Sequence, residues 1–199
     1  YRDPYRNQVK ANEASFFGMI ANIDQNLGRL DQYLHQNGLH ENTILIFMTD
    51  NGTASGENVF NADMRGKKSS LYEGGHRVPF FIRWPDGNIR DGRDVEGLTR
   101  GTDLLPTLID LCELNLPDGL TFDGLSLADS LQTGQPASTE RVSVIQFGHP
   151  NEGIWGYTAE DQAAVMWQNW RLVNGHELYD VNTDPGQSND LSADHPDIV

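Results

Sequence analysis

The chain has 199 residues, of which 37% are hydrophobic and 9% aromatic, enough for one domain or one and a fraction with its own core. Its 29 acidic and 14 basic side chains leave a net charge of −15, which excludes the broad basic face that nucleic-acid binding requires. An anionic ligand would have to be held by a few local cations against that field. The single cysteine, Cys112, rules out an internal disulfide, and no apolar run approaches the roughly 20 residues that cross a bilayer.

From Glu13 onward, Phe16, Ile20, Ile23, Leu27, Leu30 and Leu34 recur at three- and four-residue steps and predict a helix of about 24 residues, or about 36 Å. Asn12 is its expected N-cap, Gly38 the residue just past its end, and Gly28 inside it suggests close packing at that point. Residues 43–49, Thr-Ile-Leu-Ile-Phe-Met-Thr, read as a strand covered on both faces, as in a parallel sheet. A second strand is expected over 78–84, its early Pro79 favouring a strand start or an edge. Residues 85–100 read as a surface loop.

Thr102 and Asp103 cap a predicted helix over 104–114, with Pro106 in its first turn and Cys112 on its apolar face as a core residue. A connector with a short helix near 125–131 follows. Beyond Arg141 the period shifts toward two. Strands are expected over 142–147, 163–167, 170–173 and 176–179, the last two joined by the hairpin signal Asn174-Gly175. The expected organisation is an α/β portion over 1–140 followed by a small antiparallel subdomain over 141–199.

The chemistry-bearing residues cluster in one stretch. The strand over 43–49 runs into Asp50-Asn51-Gly52. Ligands bind outside the carboxyl ends of strands in α/β sheets, and short oxygen-bearing side chains there suit calcium or magnesium. A plain Asn-Gly turn is the other reading of the same residues. Downstream lie Lys67 and Lys68, compact cations suited to sulfate or phosphate oxygens but also common as solvated loop residues. Glu73-Gly74-Gly75-His76-Arg77 then forms a corner whose glycines permit unusual backbone angles and a tight approach, with Glu73 and Arg77 placed to pair across it.

Taken together, Asp50-Asn51-Gly52, Arg65-Gly66-Lys67-Lys68, Tyr72-Glu73-Gly74-Gly75, Arg77-Val78-Pro79 and Arg83-Trp84-Pro85 closely resemble, in order, the C-terminal half of the sulfatase family in the alkaline-phosphatase-like superfamily. Weaker similarity extends over about residues 13–192, including Thr102-Asp-Leu-Leu-Pro-Thr107 and Glu177-Leu-Tyr-Asp180 with Asp184-Pro185 after it.

This resemblance implies an α/β fold, the C-terminal part of a mixed, mostly parallel sheet with flanking helices, followed by a small antiparallel sheet. It makes Asp50 and Asn51 ligands of a divalent cation, usually calcium with magnesium as the alternative. Lys68 becomes the catalytic lysine on the substrate sulfate and its leaving oxygen. Lys67 is not that residue, and His76, where the family varies, is either a substrate contact or a packed side chain. The family nucleophile, a formylglycine made from a Cys/Ser-x-Pro-x-Arg motif, is absent from these residues, as are two further metal-binding aspartates. Both chain ends read as cuts in a longer protein. The expectation is therefore a C-terminal fragment, inactive alone and able to self-associate through apolar surface, of an exported hydrolase of aryl or carbohydrate sulfate esters. A phosphoryl or phosphonate monoester hydrolase of the same superfamily, or a non-catalytic binding module retaining the fold, are the rival readings.

Overall fold

The first long element of the computed structural model, which describes residues 1–90, 92–138, 140–146 and 163–199, is helix α1, Ala11–Gln36. It starts two residues earlier than the apolar pattern predicts. Lys10, not Asn12, is its N-cap, and the Lys10 amide donates to Glu13 Oε2 at 2.9 Å, so the Glu13 carboxylate closes the first turn. At the other end the forecast holds. Gly38 takes φ +67°, the Gly38 amide bonds the His35 carbonyl at 3.2 Å and the Leu39 amide bonds the Leu34 carbonyl at 2.9 Å. Those two bonds form a Schellman ending, which turns the chain back over the last helical turn.

Strands β1 (Leu45–Met48) and β2 (Phe80–Arg83) follow α1 and pair antiparallel, Leu45 opposite Arg83 and Met48 opposite Phe80. The parallel neighbour expected for β1 is not among the described residues. The long return between the strands contains only the one-turn helix α2, Glu73–His76, and brings the chain back in the opposite direction. The hairpin continues through a bridge between Trp84 and Ile89.

Helix α3, Leu104–Leu111, is shorter than predicted. Glu113 at φ +50° ends it, with the Glu113 amide on the Asp110 carbonyl and the Leu114 amide on the Ile109 carbonyl, 3.2 and 3.0 Å. Cys112 is consequently exposed at the cap rather than packed in the core, because the chain leaves the helical path at that residue. Helix α4, Ala128–Thr133, packs on α3, and Ile89, Leu111, Leu127, Leu131 and Ala137 form one core with Ile82 and Trp84 of the hairpin beside it.

The C-terminal part is an antiparallel meander of β3 (Val142–Gln146), β4 (Ala163–Trp167), β5 (Trp170–Val173) and β6 (Glu177–Asp180). The expected end of β3 at Phe147 lies outside the described residues. Asn174 and Gly175 both have positive φ, +52° and +74°, as a primed hairpin turn requires. Register places Ser143, Met166, Arg171 and Tyr179 side by side across the sheet, and all four are buried. This face covers the glycine corner, where Ala164, Val173 and Tyr179 pack with Leu71 and Tyr72.

Helix α1 behaves differently. Its buried face near the start is Ala14 and Gly18, the latter against the backbone of Tyr1 and Arg2. The longer stripe predicted for burial is mostly open: Ile20 and Ile23 are 48% and 50% exposed, and only Leu34 is buried. Nothing lies within 4 Å of the position a Cβ would take at Gly28, so the close packing expected there is absent among the described residues.

Candidate active site

The Asp50-Asn51-Gly52 turn follows β1 and is seated on the glycine corner. The Gly52 amide donates to the Gly75 carbonyl at 2.9 Å, and a Cβ at Gly52 would lie 1.8 Å from the Gly74 carbonyl oxygen. Gly74 and Gly75 are equally confined, their hypothetical Cβ atoms meeting the carbonyls of Gly66 and Ser70 at 2.3 and 2.2 Å. Both have negative φ within α2, so contact distance, not unusual backbone angle, demands glycine there.

This seat brings the predicted residues together. The Lys68 amide bonds the Thr53 carbonyl at 2.9 Å, fixing the lysine backbone beside the turn. Asn51 Nδ2 donates to Asp50 Oδ1, which leaves the Asn51 amide oxygen free to act as an acceptor. That hydrogen bond, with a further contribution from the Lys68 charge, holds the Asp50 carboxyl below its ordinary range. The donor set fits a hard cation: an ionised carboxylate and an adjacent amide oxygen, both at the surface end of the strand. Lys67 instead pairs with Glu57 at 2.6 Å.

His76 follows at the end of α2. It is largely buried, with its Nε2 3.8 Å from Glu73, and burial pushes its pKa down to about 4. It is thus a neutral imidazole at pH 7. Asp50 and His76 both line a broad concavity of about 1940 Å³ between the hairpin, α3 and the meander. Seven arginines and six carboxylates line this hollow, so it is near electroneutral although the chain as a whole carries −15.

The support beneath the site was only partly foreseen. Glu73, 1% exposed, pairs with Arg77 at 3.3 Å as expected, but its principal partner is the buried Arg171 on β5. Burial lowers the Arg171 pKa to about 10. The Glu73 amide donates to the fully buried Gln187 Oε1 at 2.7 Å, and Arg65 reaches the Gln187 carbonyl and the Tyr179 hydroxyl while lying 3.7 Å from the centre of the Tyr72 ring. Tyr72 and Tyr179 both donate to Glu177. Burial and then the Glu177 bond push Tyr179 up to about 12. A second node joins the two halves: Arg141 clamps Asp103 through two bonds of 2.5 and 2.6 Å, and Asp103 also accepts from the Arg100 and Leu125 amides. Burial alone would raise the Asp103 carboxyl, yet these donors outweigh it and keep it low. An arginine flanked by Trp170 and Leu172 in a predicted strand was the available signal for Arg171.

Comparison with known proteins agrees with this architecture. The sequence profile of the sulfatase family matches residues 2–114, and that of the C-terminal part of N-sulphoglucosamine sulphohydrolase matches residues 66–197. The chain is 27% identical to the uncharacterized sulfatase YdeN of Escherichia coli and 30% identical to an arylsulfatase of Clostridium perfringens, over 96% and 94% of its own length and 33% and 37% of theirs. It thus spans about a third of the curated relatives it matches. Among solved structures, Ps i-CgsB bound to k-i-k-neocarrahexaose superposes with a TM-score of 0.83 at 21% identity, over 99% of this chain and 43% of that one. A protein in complex with its substrate D-glucosamine-2-N,6-O-disulfate gives 0.69 at 25% identity, covering 90% and 36%. The phosphonate monoester hydrolase of Agrobacterium radiobacter gives 0.69 at 29% identity, covering 94% and 39%. With a strand-end Asp-Asn-Gly turn seated on a Glu-Gly-Gly corner and a family match over more than half its length, the chain belongs to the sulfatase family and carries the C-terminal part of its alkaline-phosphatase-like fold.

Proposed function

We propose that this chain provides the cation-binding turn and the substrate lysine of a sulfuric ester hydrolase. The observation that carries the reading is the gathering of Asp50, Asn51 and Lys68 at the end of β1, with Asp50 kept ionised by its neighbours. Asp50 and Asn51 would hold calcium, or magnesium, through oxygen. The bound cation would neutralise charge on the sulfate oxygens. Lys68 would stabilise the negative charge that develops on the leaving oxygen. The nucleophile this reading requires, a formylglycine made from Cys or Ser, is not among the 199 residues. The chain by itself is therefore inactive, and it works as part of a longer, exported protein.

The substrate class is a sulfate monoester, carbohydrate or aryl. A glucosamine disulfate complex and a carrageenan-type oligosaccharide complex among the structural relatives support the carbohydrate form. The test is turnover of paired aryl sulfate and sugar sulfate substrates, first by this chain and then by the chain extended with the residues encoded upstream of Tyr1. The reading predicts no turnover by the first and calcium-stimulated turnover by the second, abolished by Lys68→Ala. Turnover by the 199 residues alone would overturn it.

One rival has its own support, since the phosphonate monoester hydrolase is as near in identity as the sulfatases. Faster hydrolysis of a phosphonate or phosphate monoester than of the matched sulfate by the extended protein would select that rival.

A further inference from the structure

At the far end of α1, Asp31, His35 and His40 bring one potential metal-ligating atom each to within 4.8 Å of one another. These residues take no part in the turn at Asp50, although they lie within the span matched by the sulfatase family profile. Their meeting follows from local structure. Asp31 and His35 are four residues apart and share a helix face, and the Schellman ending folds His40 back so that its ring lies 3.6 Å, centre to centre, from that of His35.

The hydrogen bonds fix the tautomers. His35 Nδ1 lies 2.9 Å from the Asp31 carbonyl and His40 Nδ1 lies 3.1 Å from a Glu41 carboxylate oxygen. Both partners can only accept, so both Nδ1 atoms bear the proton and the lone pair of each ring sits on Nε2. A backbone carbonyl or a carboxylate behind a ligating imidazole is the outer-shell pattern that orients metal-binding histidines. Asp31 is divided in a compatible way. Arg83 on β2 takes Oδ1 at 2.5 Å, whereas Oδ2 lies 3.7 Å from His35 Nδ1 and must swing past that protonated nitrogen to share an ion with Nε2. The Arg83 bond, ahead of burial and the Arg83 charge, lowers the Asp31 pKa, so the carboxylate is ionised. The cluster also lies at the carbonyl end of a 26-residue helix, where the helix dipole favours a cation.

We propose that Asp31, His35 and His40 form a three-ligand site for a divalent transition ion of the zinc type, with a fourth position open to water. Two imidazoles and one carboxylate suit such an ion and not calcium, which takes all-oxygen shells. Tetrahedral ligands at ordinary zinc bond lengths stand about 3.4 Å apart. The ligating atoms, within 4.8 Å of one another, must therefore close by up to about 1.4 Å, and His35 at 52% exposed has the freedom to do so.

The test is calorimetric titration with Zn²⁺ in a Cys112→Ser background, which removes the exposed thiol as a competing ligand. Excess calcium is present to occupy the Asp50 turn. One zinc per chain is expected, with at least a tenfold loss of affinity in His35→Gln and in His40→Gln and no resolvable binding in the double variant. Titration with Co²⁺ supplies a second readout that does not depend on variant stability, a visible absorption band typical of low-coordinate cobalt that zinc displaces. Absence of one-to-one zinc binding, unchanged affinity in the folded double variant, or cobalt spectra of the fully hydrated ion would each overturn the assignment.

Discussion

The glycine corner and helix α1 both announce themselves strongly in the sequence, yet they stand in opposite environments. The corner is a charged, polar stretch that ends up buried, with Glu73, Arg171 and Gln187 all nearly or wholly inaccessible. The helix has a regular apolar stripe that ends up largely exposed. Polarity therefore does not decide burial here. The buried charges of the corner are held by each other, Glu73 by Arg171 and Arg77, with the Glu73 amide on Gln187, whereas α1 has found only part of the surface its stripe could cover.

The sharpest way to break the corner is to remove one charge of its buried pair. Arg171→Met leaves Glu73 with only the more exposed Arg77 and is expected to destabilise by about 3–5 kcal/mol, as loss of one partner from a buried ion pair does. Denaturant titration reads this directly, and a loss below about 1 kcal/mol would mean the pair contributes no more than a surface one.

The same small change tells the two regions apart by sign. Gly52→Ala drives a methyl group into the Gly74 carbonyl and is expected to cost about 3 kcal/mol and to displace Asp50 and Asn51. Gly28→Ala meets open space on α1 and is expected to stabilise by about 1 kcal/mol, because alanine is the better helix former. Equal effects at the two sites would remove the distinction.

Protonation sharpens the contrast further. His76 titrates near 6.5 when unfolded and at about 4 when folded. Between those values the unfolded state binds the proton and the folded state does not, so stability is complete above pH 6.5 and falls as pH drops toward 4. The loss is on the order of 3 kcal/mol. His76→Gln should flatten that part of the stability–pH profile, and an unchanged slope would show that other groups produce it.

The smallest stability effect belongs to α1. Ile20→Gln with Ile23→Gln is expected to change unfolding free energy by less than about 0.5 kcal/mol, since both side chains are already half in water. We propose that the stripe is one of the exposed apolar surfaces through which copies of the chain pair, so the double substitution should reduce concentration-dependent association in sedimentation. Association unaffected by the double substitution would place the contact elsewhere.

The legible parts of the molecule were those determined by neighbours in sequence. The end of α1 at Gly38, the Asn174-Gly175 turn and the Asp50-Asn51-Gly52 and Lys68 grouping depend on residues close along the chain, and all were foreseen. The features missed depend on distant partners. Arg171 reaches Glu73 across nearly a hundred positions, and Arg141 clamps Asp103 from another element. Cys112 was misplaced for a local reason: a left-handed Glu113, which has no strong sequence signature, ends α3 before the apolar pattern does.

The most direct test of the account is calcium titration by calorimetry of this chain beside its Asp50→Asn variant. The account predicts saturable but weak binding, no tighter than about 0.1 mM because two protein ligands leave most of the coordination shell to water, and loss of that heat in the variant. Identical heats in the two proteins would contradict it, since Asp50 would then not be a ligand and the turn would be only a turn.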